Sequence, residues 1–495
     1  MYIFIQTQED FDALDTHIKV AMQEPGDEDI VVLFASKIYY FSEAHLSFLG
    51  VECPNHKVSI IGNGATIIGA GTALIPKHRL SKKYDITDYD WRYGVIDLDN
   101  LADVRPIGPV KRALGPVEVL DETTGLCRFK ASEKKNKNPK QTSVQFTNWY
   151  LGLTYPVVKI EKGYIYFSVD DLKKDGDYYN IEWDRMYKNV YPKYQLVNSP
   201  KAEAYWCKNK LRFKNRGKRY HICKASKFLD ISDSVFKAFE VRGLNFLGNS
   251  DLEKELIYIR NCAGNISFHN CTFKGIRNHV ISASSVKQVS IYYNVVEGCY
   301  RGFYAENPDV INTSITRNTF RGNQLFFGNF FDVTCLGQNF KIVDNVFEDF
   351  AYGAIGVGVH FASPPAEPPV TSGIVENNEM YQTKKFRKEP TRTLMDSGAI
   401  YCWTSNLNVV LKNNYIHDYT GGGDNRGIFL DDGTNNVTVV GNTVLRIANS
   451  YCIDMRRVTS VETRPDSYVK KTNVGDKLIN NFVDGEIRWE PNLDE

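Results

Sequence analysis

The sequence predicts an all-β chain wound as a right-handed parallel β-helix, a solenoid with an N-terminal capping helix and an inserted β-rich domain. Three observations lead there. Short apolar strands recur throughout the second half of the chain, each beside an Asn. Those Asn residues fall at positions 270, 294, 318, 345, 378, 414 and 442, at intervals of 24, 24, 27, 33, 36 and 28 residues. A second strand follows each Asn turn. Intervals near 24 residues match a coil of three short strands and three turns, and the longer ones carry loop insertions. A leucine-rich repeat is the main competitor, but its Leu framework is absent.

The recurrent Asn has a physical reason. A sharp bend between strands favours a residue tolerant of positive φ, and among non-glycine residues Asn accepts this best. Stacked one coil apart, at about 4.8 Å, successive amides can also hydrogen-bond into a ladder. Alternation in the flanking strands sends Ile266, Phe268 and Ile315 inward.

Residues 1–75 read as a cap and first coil. Phe11, Leu14, Ile18 and Met22 mark one face of a helix. DEDIVVLFAS is a buried strand, and VSIIGNGATIIG is strand, turn and strand. An open solenoid end exposes unpaired strand edges, which a terminal helix ordinarily covers. Residues 76–225 lose the period and alternate charged with aromatic residues, so they read as an inserted β-rich domain, a small sandwich or barrel. The basic run Lys208–Tyr220 within it reads as a solvated hairpin before an anion site. Residues 226–495 form the main β-helix, with INNFVDGEIRW as its last coil.

Composition narrows the function. With 60 basic and 59 acidic residues the net charge is +1, which gives no nucleic-acid footprint. The 10 cysteines show neither CxxC nor a short-spaced Cys/His set, so no zinc site is expected and buried free thiols are. No run of 18 apolar residues predicts a membrane span. The N-terminal stretch lacks the basic and apolar regions of a signal peptide. That is the pattern of a cytoplasmic protein, or of an extracytoplasmic one shown without its leader.

The second strands locate the chemistry. RGFYAEN, NQLFFGN, YGAIGVG, SGAIYCW, RGIFLDD and YCIDMRR superpose with Ile355, Ile400, Ile428 and Ile453 in one inward column. The outward column then reads Tyr304 and Glu306, Phe326 and Gly328, Gly356 and Gly358, Tyr401 and Trp403, Phe429 and Asp431, and Asp454 and Arg456. Such a strip offers a glycine floor, aromatic platforms and carboxylates. Glu306 lies four coils from Asp431, about 19 Å at 4.8 Å per coil, too far to share chemistry. Asp431 and Asp454 stand one coil apart, and Asp396 precedes the strand on the other side.

Glycoside cleavage needs one protonated carboxyl and one ionised carboxyl roughly 5–10 Å apart. Asp396, Asp431, Asp432 and Asp454 are the catalytic candidates, and their clustering would raise at least one pKa. Tyr401, Trp403, Phe429, Glu306, Arg426, Arg456 and His360 are the candidate contacts to a poly- or oligosaccharide. Several bland readings compete. Asp432-Gly433 is a good turn pair, Asp418 fits a cap or turn, and His360 and His417 fit ordinary surface or core histidines. The basic insertion around Lys384–Arg392 fits a solvated loop.

DSGAIYCW, then NNYIHDY, then RGIFLDDGTNNVTVVGNTV resemble the core of β-helical glycoside hydrolases of families 120 and 141. The resemblance is specific over residues 395–445 and looser over 30–490. It implies a retaining or inverting glycosidase with acids at Asp396 and Asp431 and no cofactor. This chain departs from the pattern with Phe429 where Tyr is usual and Cys402 where a small polar residue is common. Two other classes stay open. A polysaccharide lyase would hold Ca²⁺ on the Asp cluster and use Arg456, Arg457 or a loop lysine as base. A non-catalytic glycan-binding β-helix would need neither.

Overall fold

The structure is a computed structural model. It describes residues 1–24, 26–41, 45–69, 74–75, 84–85, 94–97, 102–103, 111–121, 123–133, 142–146, 154–169, 193–197, 204–206, 210–213, 220–223, 227–248, 255–324, 331–359, 370–388, 396–403, 407–420, 425–431, 434–448, 451–455 and 475–489.

Each coil contributes three strands, and each strand pairs in parallel with its equivalent one coil away. The coil before the last shows the order. Val437–Val440 lies on the first face, Thr443–Leu445 on the second and Ile453–Met455 on the third. Their partners one coil earlier are Leu407–Lys412, Tyr415–His417 and Asn425–Leu430. Among the described residues the second face is an 11-stranded sheet. The first and third faces merge into a 22-stranded sheet, because Ile257–His269 pairs in both. The chain is a parallel β-helix.

Period-two burial produces this stacking. On the first face Ile291, Ile315, Ile342, Val375, Leu411 and Val439 pair coil upon coil and are all buried. The second face stacks Phe246 on Phe273 with ring centroids 5.1 Å apart, and Phe320 on Phe347 at 4.7 Å. Burying each such side chain contributes roughly 1.5–3 kcal/mol. A one-residue slip would turn every one of them to solvent, so the register is strongly fixed.

The corner between the first and second faces corrects one expectation. The residue with positive φ is the one before the recurrent Asn: Tyr293, Arg317, Asp344, Asn377 and Asn413, with Gly441 in the same place. The Asn itself is buried and forms the ladder. The side-chain oxygens of Asn318, Asn345, Asn378, Asn414, Asn442 and Asn481 each accept both the backbone N–H and the amide of the Asn one coil earlier, at 2.9–3.1 Å. The positive φ can therefore be carried by Tyr, Arg or Asp, while from Asn294 to Asn442 the buried corner position is held by an Asn. Asn270 was aligned one place early. It has φ 52°, and Cys271 occupies the ladder position, its N–H donating to Asn294 Oδ1 at 2.9 Å.

At the N-terminus the apolar spacing gives two short helices, Gln8–Asp12 and Leu14–Ala21. Phe11, Leu14 and Ile18 enter the same apolar cluster as the first coils. Thr7 and Asp10 close the first helix with a reciprocal cap. Strands between Lys111 and Val197 form a separate antiparallel sheet of seven, with its own core around Phe129, Phe146, Phe167 and Tyr194. The basic run Lys208–Tyr220 lies largely outside the described residues. Eight described cysteines are buried. No helix among the described residues is long and apolar enough to cross a membrane.

Candidate active site

The third face presents its strands in a fixed register. Ile355, Ile400, Ile428 and Ile453 pair in one buried column, as the sequence predicts. One residue on, Tyr304, Thr334, Gly356, Tyr401, Phe429, Asp454 and Arg488 form the adjacent column. Thr334 replaces the expected Phe326. The strand of that coil is Phe331–Cys335, whereas Phe326 and Gly328 lie outside the described residues. The LFF run is more apolar than the strand Phe331–Cys335, which buries Asp332 and Thr334, so an apolar pattern points to LFF instead.

The glycine floor is also corrected. A Cβ on Gly356 would meet the Phe331 ring at 2.5 Å, so that ring already fills the space above it. Phe331, Tyr352, Val359, Tyr401 and Phe429 form a small apolar cluster on this face, with Trp403 partly buried against it. Tyr401 is 4% exposed and Phe429 fully buried. Tyr401 meets Phe429 edge-on at 5.2 Å, and the Arg426 guanidinium lies 4.0 Å over the Phe429 ring. Their ring faces are occupied by the protein, so neither is an open sugar platform. Trp403 is the partly exposed aromatic of this cluster.

Asp431 follows the strand Asn425–Leu430 and is 7% exposed. The Tyr401 hydroxyl donates to its Oδ2. Its Oδ1 is buried and has no hydrogen-bond partner among the described residues. Burial, reinforced by the Asp431 charge, holds the Tyr401 phenol well above its ordinary pKa, so it stays protonated and remains a donor.

Asp396 precedes Ser397–Cys402 with φ 56°. Register places Ser397 opposite Asn425, so Asp396 and Asp431 flank opposite ends of neighbouring strands. Coil adjacency alone does not bring them together. Their side chains approach the Tyr401–Phe429 cluster from its two ends, through Arg426 on one side and Tyr401 on the other. Arg426 Nη1 donates to Asp396 Oδ1 at 3.1 Å, and Tyr352 donates its hydroxyl to the Asp396 carbonyl at 2.8 Å.

Asp454 has a different environment. It is fully buried and held by two arginines. Arg426 Nε donates to Oδ2 at 2.8 Å, while Arg488 reaches Oδ1 and Oδ2, both at 2.6 Å. An anion compensated this completely orients its neighbours. Arg426, 2% exposed, thus links Asp454 to Asp396.

The remaining candidates separate from this centre. Glu306 sits four coils away and accepts the Ser282 hydroxyl at 2.5 Å; burial raises its pKa. Asp432, Arg456, Arg457 and His360 lie outside the described residues. Asp418 is a turn residue at φ 54°, and Arg446 holds its carboxyl below the usual range. His417 binds Asp418 and Glu379 and stacks with Tyr381 and Tyr415 on the second face. Lys384–Lys388 is a short helix, where a loop was expected.

Two residues of the centre escaped the sequence reading. Arg488 was recoverable, because continuing the column one coil past Asp454 into the last coil reaches it. Tyr352 gave no usable signal, since it precedes its strand and acts through a long side chain.

No family model matches the chain, and no curated protein matches it. Among solved structures, one named "Glycoside hydrolase" aligns over 98% of this chain and 97% of its own, with TM-score 0.62 and 10% identity. That likeness establishes the fold. A structure of XylC with xylose covers 91% of this chain and 70% of its own, with TM-score 0.36 and 9% identity. The tailspike gp61 of Pseudomonas phage phi297 covers 94% and 76%, with TM-score 0.22 and 8% identity.

Proposed function

We propose that the protein is a carbohydrate-active enzyme, a glycoside hydrolase of the kind its sequence resembles in families 120 and 141. It would cleave a glycosidic bond in a poly- or oligosaccharide. The observation that carries this reading is Asp431: a buried carboxylate with one oxygen taken by the Tyr401 hydroxyl and the other without a partner among the described residues. Leaving a buried carboxylate oxygen unpaired is costly, so such an atom marks a site where a reacting group belongs.

In this reading Asp431 is the nucleophile, or the base that activates water, and Asp396 is the second carboxyl of the pair. Tyr401 holds Asp431 in one rotamer and directs Oδ1 at the substrate. Arg426 does the same for Asp396, and Asp454 with Arg488 fixes Arg426. Asp432 assists from the position after Asp431. Trp403 supplies the stacking surface for a sugar ring, with Glu306, Arg456 and His360 as outlying contacts.

The lyase alternative requires the Asp cluster to face a calcium ion. Asp396 and Asp454 face guanidinium groups instead, which favours the hydrolase. The test is Asp431→Asn assayed on aryl-glycosides and polysaccharides beside the wild type. Loss of reducing-end release in a variant with unchanged circular dichroism is the expected result. Wild-type turnover in that variant would refute the assignment.

A further inference from the structure

Asp332 is a buried acid that this chemistry leaves unused. It lies on the strand Phe331–Cys335 and is 0% exposed. Gln324 Nε2 donates to its Oδ1 at 2.9 Å and to the Gly353 carbonyl at 2.8 Å. Gln324 Oε1 in turn accepts the Tyr352 backbone N–H at 3.0 Å. Tyr352 then donates its hydroxyl to the Asp396 carbonyl at 2.8 Å, and its own carbonyl accepts the Tyr419 hydroxyl at 2.6 Å.

One amide therefore joins Asp332 to the segment that supports Asp396. Gln324 holds φ 64°, a backbone conformation retained where the surroundings over-determine it. The residue beside Asp332, Phe331, packs on Tyr352 and Tyr401 at ring distances of 5.3 and 5.5 Å. Among the described residues no group donates to Asp332 Oδ2, which is buried.

We propose that Asp332 is a positioning residue of the site: through the Gln324 amide its carboxyl sets the placement of Tyr352 and Gly353, and so of Asp396, and its charge decides how firmly. The inference rests on the reading of Asp396 and Asp431 as the catalytic pair. An ionised carboxylate grips an amide donor about twice as strongly as a neutral one. Burial pushes the Asp332 carboxyl up to about 7, against the opposing pull of the Gln324 and Asn323 amides. Both states are then populated near neutrality. Arg301, on the strand before, is the charged group of the flanking strands, because Gly353–Val357 on the other side carries none. Tyr352 is the titratable group of the adjoining turn, and burial keeps it protonated.

The test uses the full chain without substrate. Near-ultraviolet circular dichroism of the tyrosines is followed from about pH 5 to about pH 9. The wild type should show a transition with its midpoint near 7, where burial places Asp332. Asp332→Asn keeps an acceptor for Gln324 and removes the titration, so it should abolish that transition. Gln324→Leu breaks the link and should abolish it too. Asp476→Asn removes a different, partly buried acid, raised to about 6, and should leave it in place. With an active substrate, the pH profile of turnover should lose the same step in Asp332→Asn. A transition retained in Asp332→Asn, or absent from the wild type, overturns the inference. Silence on every glycan would count against the hydrolase reading, while the spectroscopic titration would still decide this one.

Discussion

Two edges of the same coils use their polar residues in opposite ways. At the corner between the first and second faces, Asn318, Asn345, Asn378, Asn414 and Asn442 repeat one chemistry, each buried and each bonded identically to its neighbour. On the third face the stacked positions differ at every step: Gly356, Tyr401, Phe429, Asp454, Arg488. The five Asn side chains of the corner leave no buried polar atom unpaired. The third face leaves Asp431 Oδ1 without a partner among the described residues. Repetition builds the solenoid, and the coils that depart from it build the site.

This contrast can be broken from either side. The largest effect should come from Asp431→Asn, which removes the group left unsatisfied by design of the face. Turnover should fall by about 10²–10⁴-fold, the range for a lost acid–base group. Its thermal midpoint should match the wild type, since no partner of Oδ1 is lost. The mirror experiment is Asn378→Ala in the ladder. It strips the backbone N–H of Asn345 of its acceptor and the Ile342 carbonyl of its donor. Urea unfolding should show a loss of about 2–3 kcal/mol, with turnover per folded molecule unchanged.

Arg488→Met tests the link between the two edges. It removes one of the two arginines on a fully buried Asp454, at a cost of about 2 kcal/mol for a charged hydrogen bond. Because Arg426 would be less firmly held, turnover should also fall, but less than in Asp431→Asn. The smallest effect belongs to Lys412→Met. Lys412 Nζ pairs with Glu376 at 2.7 Å on the exposed side of the first face. Surface pairs of this kind contribute about 0–1 kcal/mol, so unfolding and turnover should both stay near wild type.

The same contrast explains what could be read from the sequence. A column repeated in every coil is visible as a period, and the Asn intervals with the Ile355–Ile453 column placed the faces correctly. The Asn role was half legible. Its ladder followed from spacing, but the positive φ belongs to the residue before it, because a turn needs a conformation and not a particular side chain. The strip failed where its own irregularity was the signal. The run Leu325–Phe327 is more apolar than the strand Phe331–Cys335, which carries Asp332 and Thr334, so an apolar pattern favours the former. Aromatic residues also do not declare whether a ring faces solvent or a guanidinium. Tyr401 and Phe429 were read as platforms, yet packing against Phe331, Tyr352 and Arg426 buries them. A long side chain that acts across coils, such as that of Tyr352, leaves almost no trace in a one-dimensional pattern.

The most direct test of the central claim is the chemistry of the product. A panel of polysaccharides would be digested in water enriched in oxygen-18, and the new chain ends analysed by mass spectrometry and ultraviolet absorbance. Hydrolysis at the Asp431 site predicts labelled ends without ultraviolet absorbance, and no product from Asp431→Asn. Unlabelled, absorbing ends would contradict it and identify an elimination on this face.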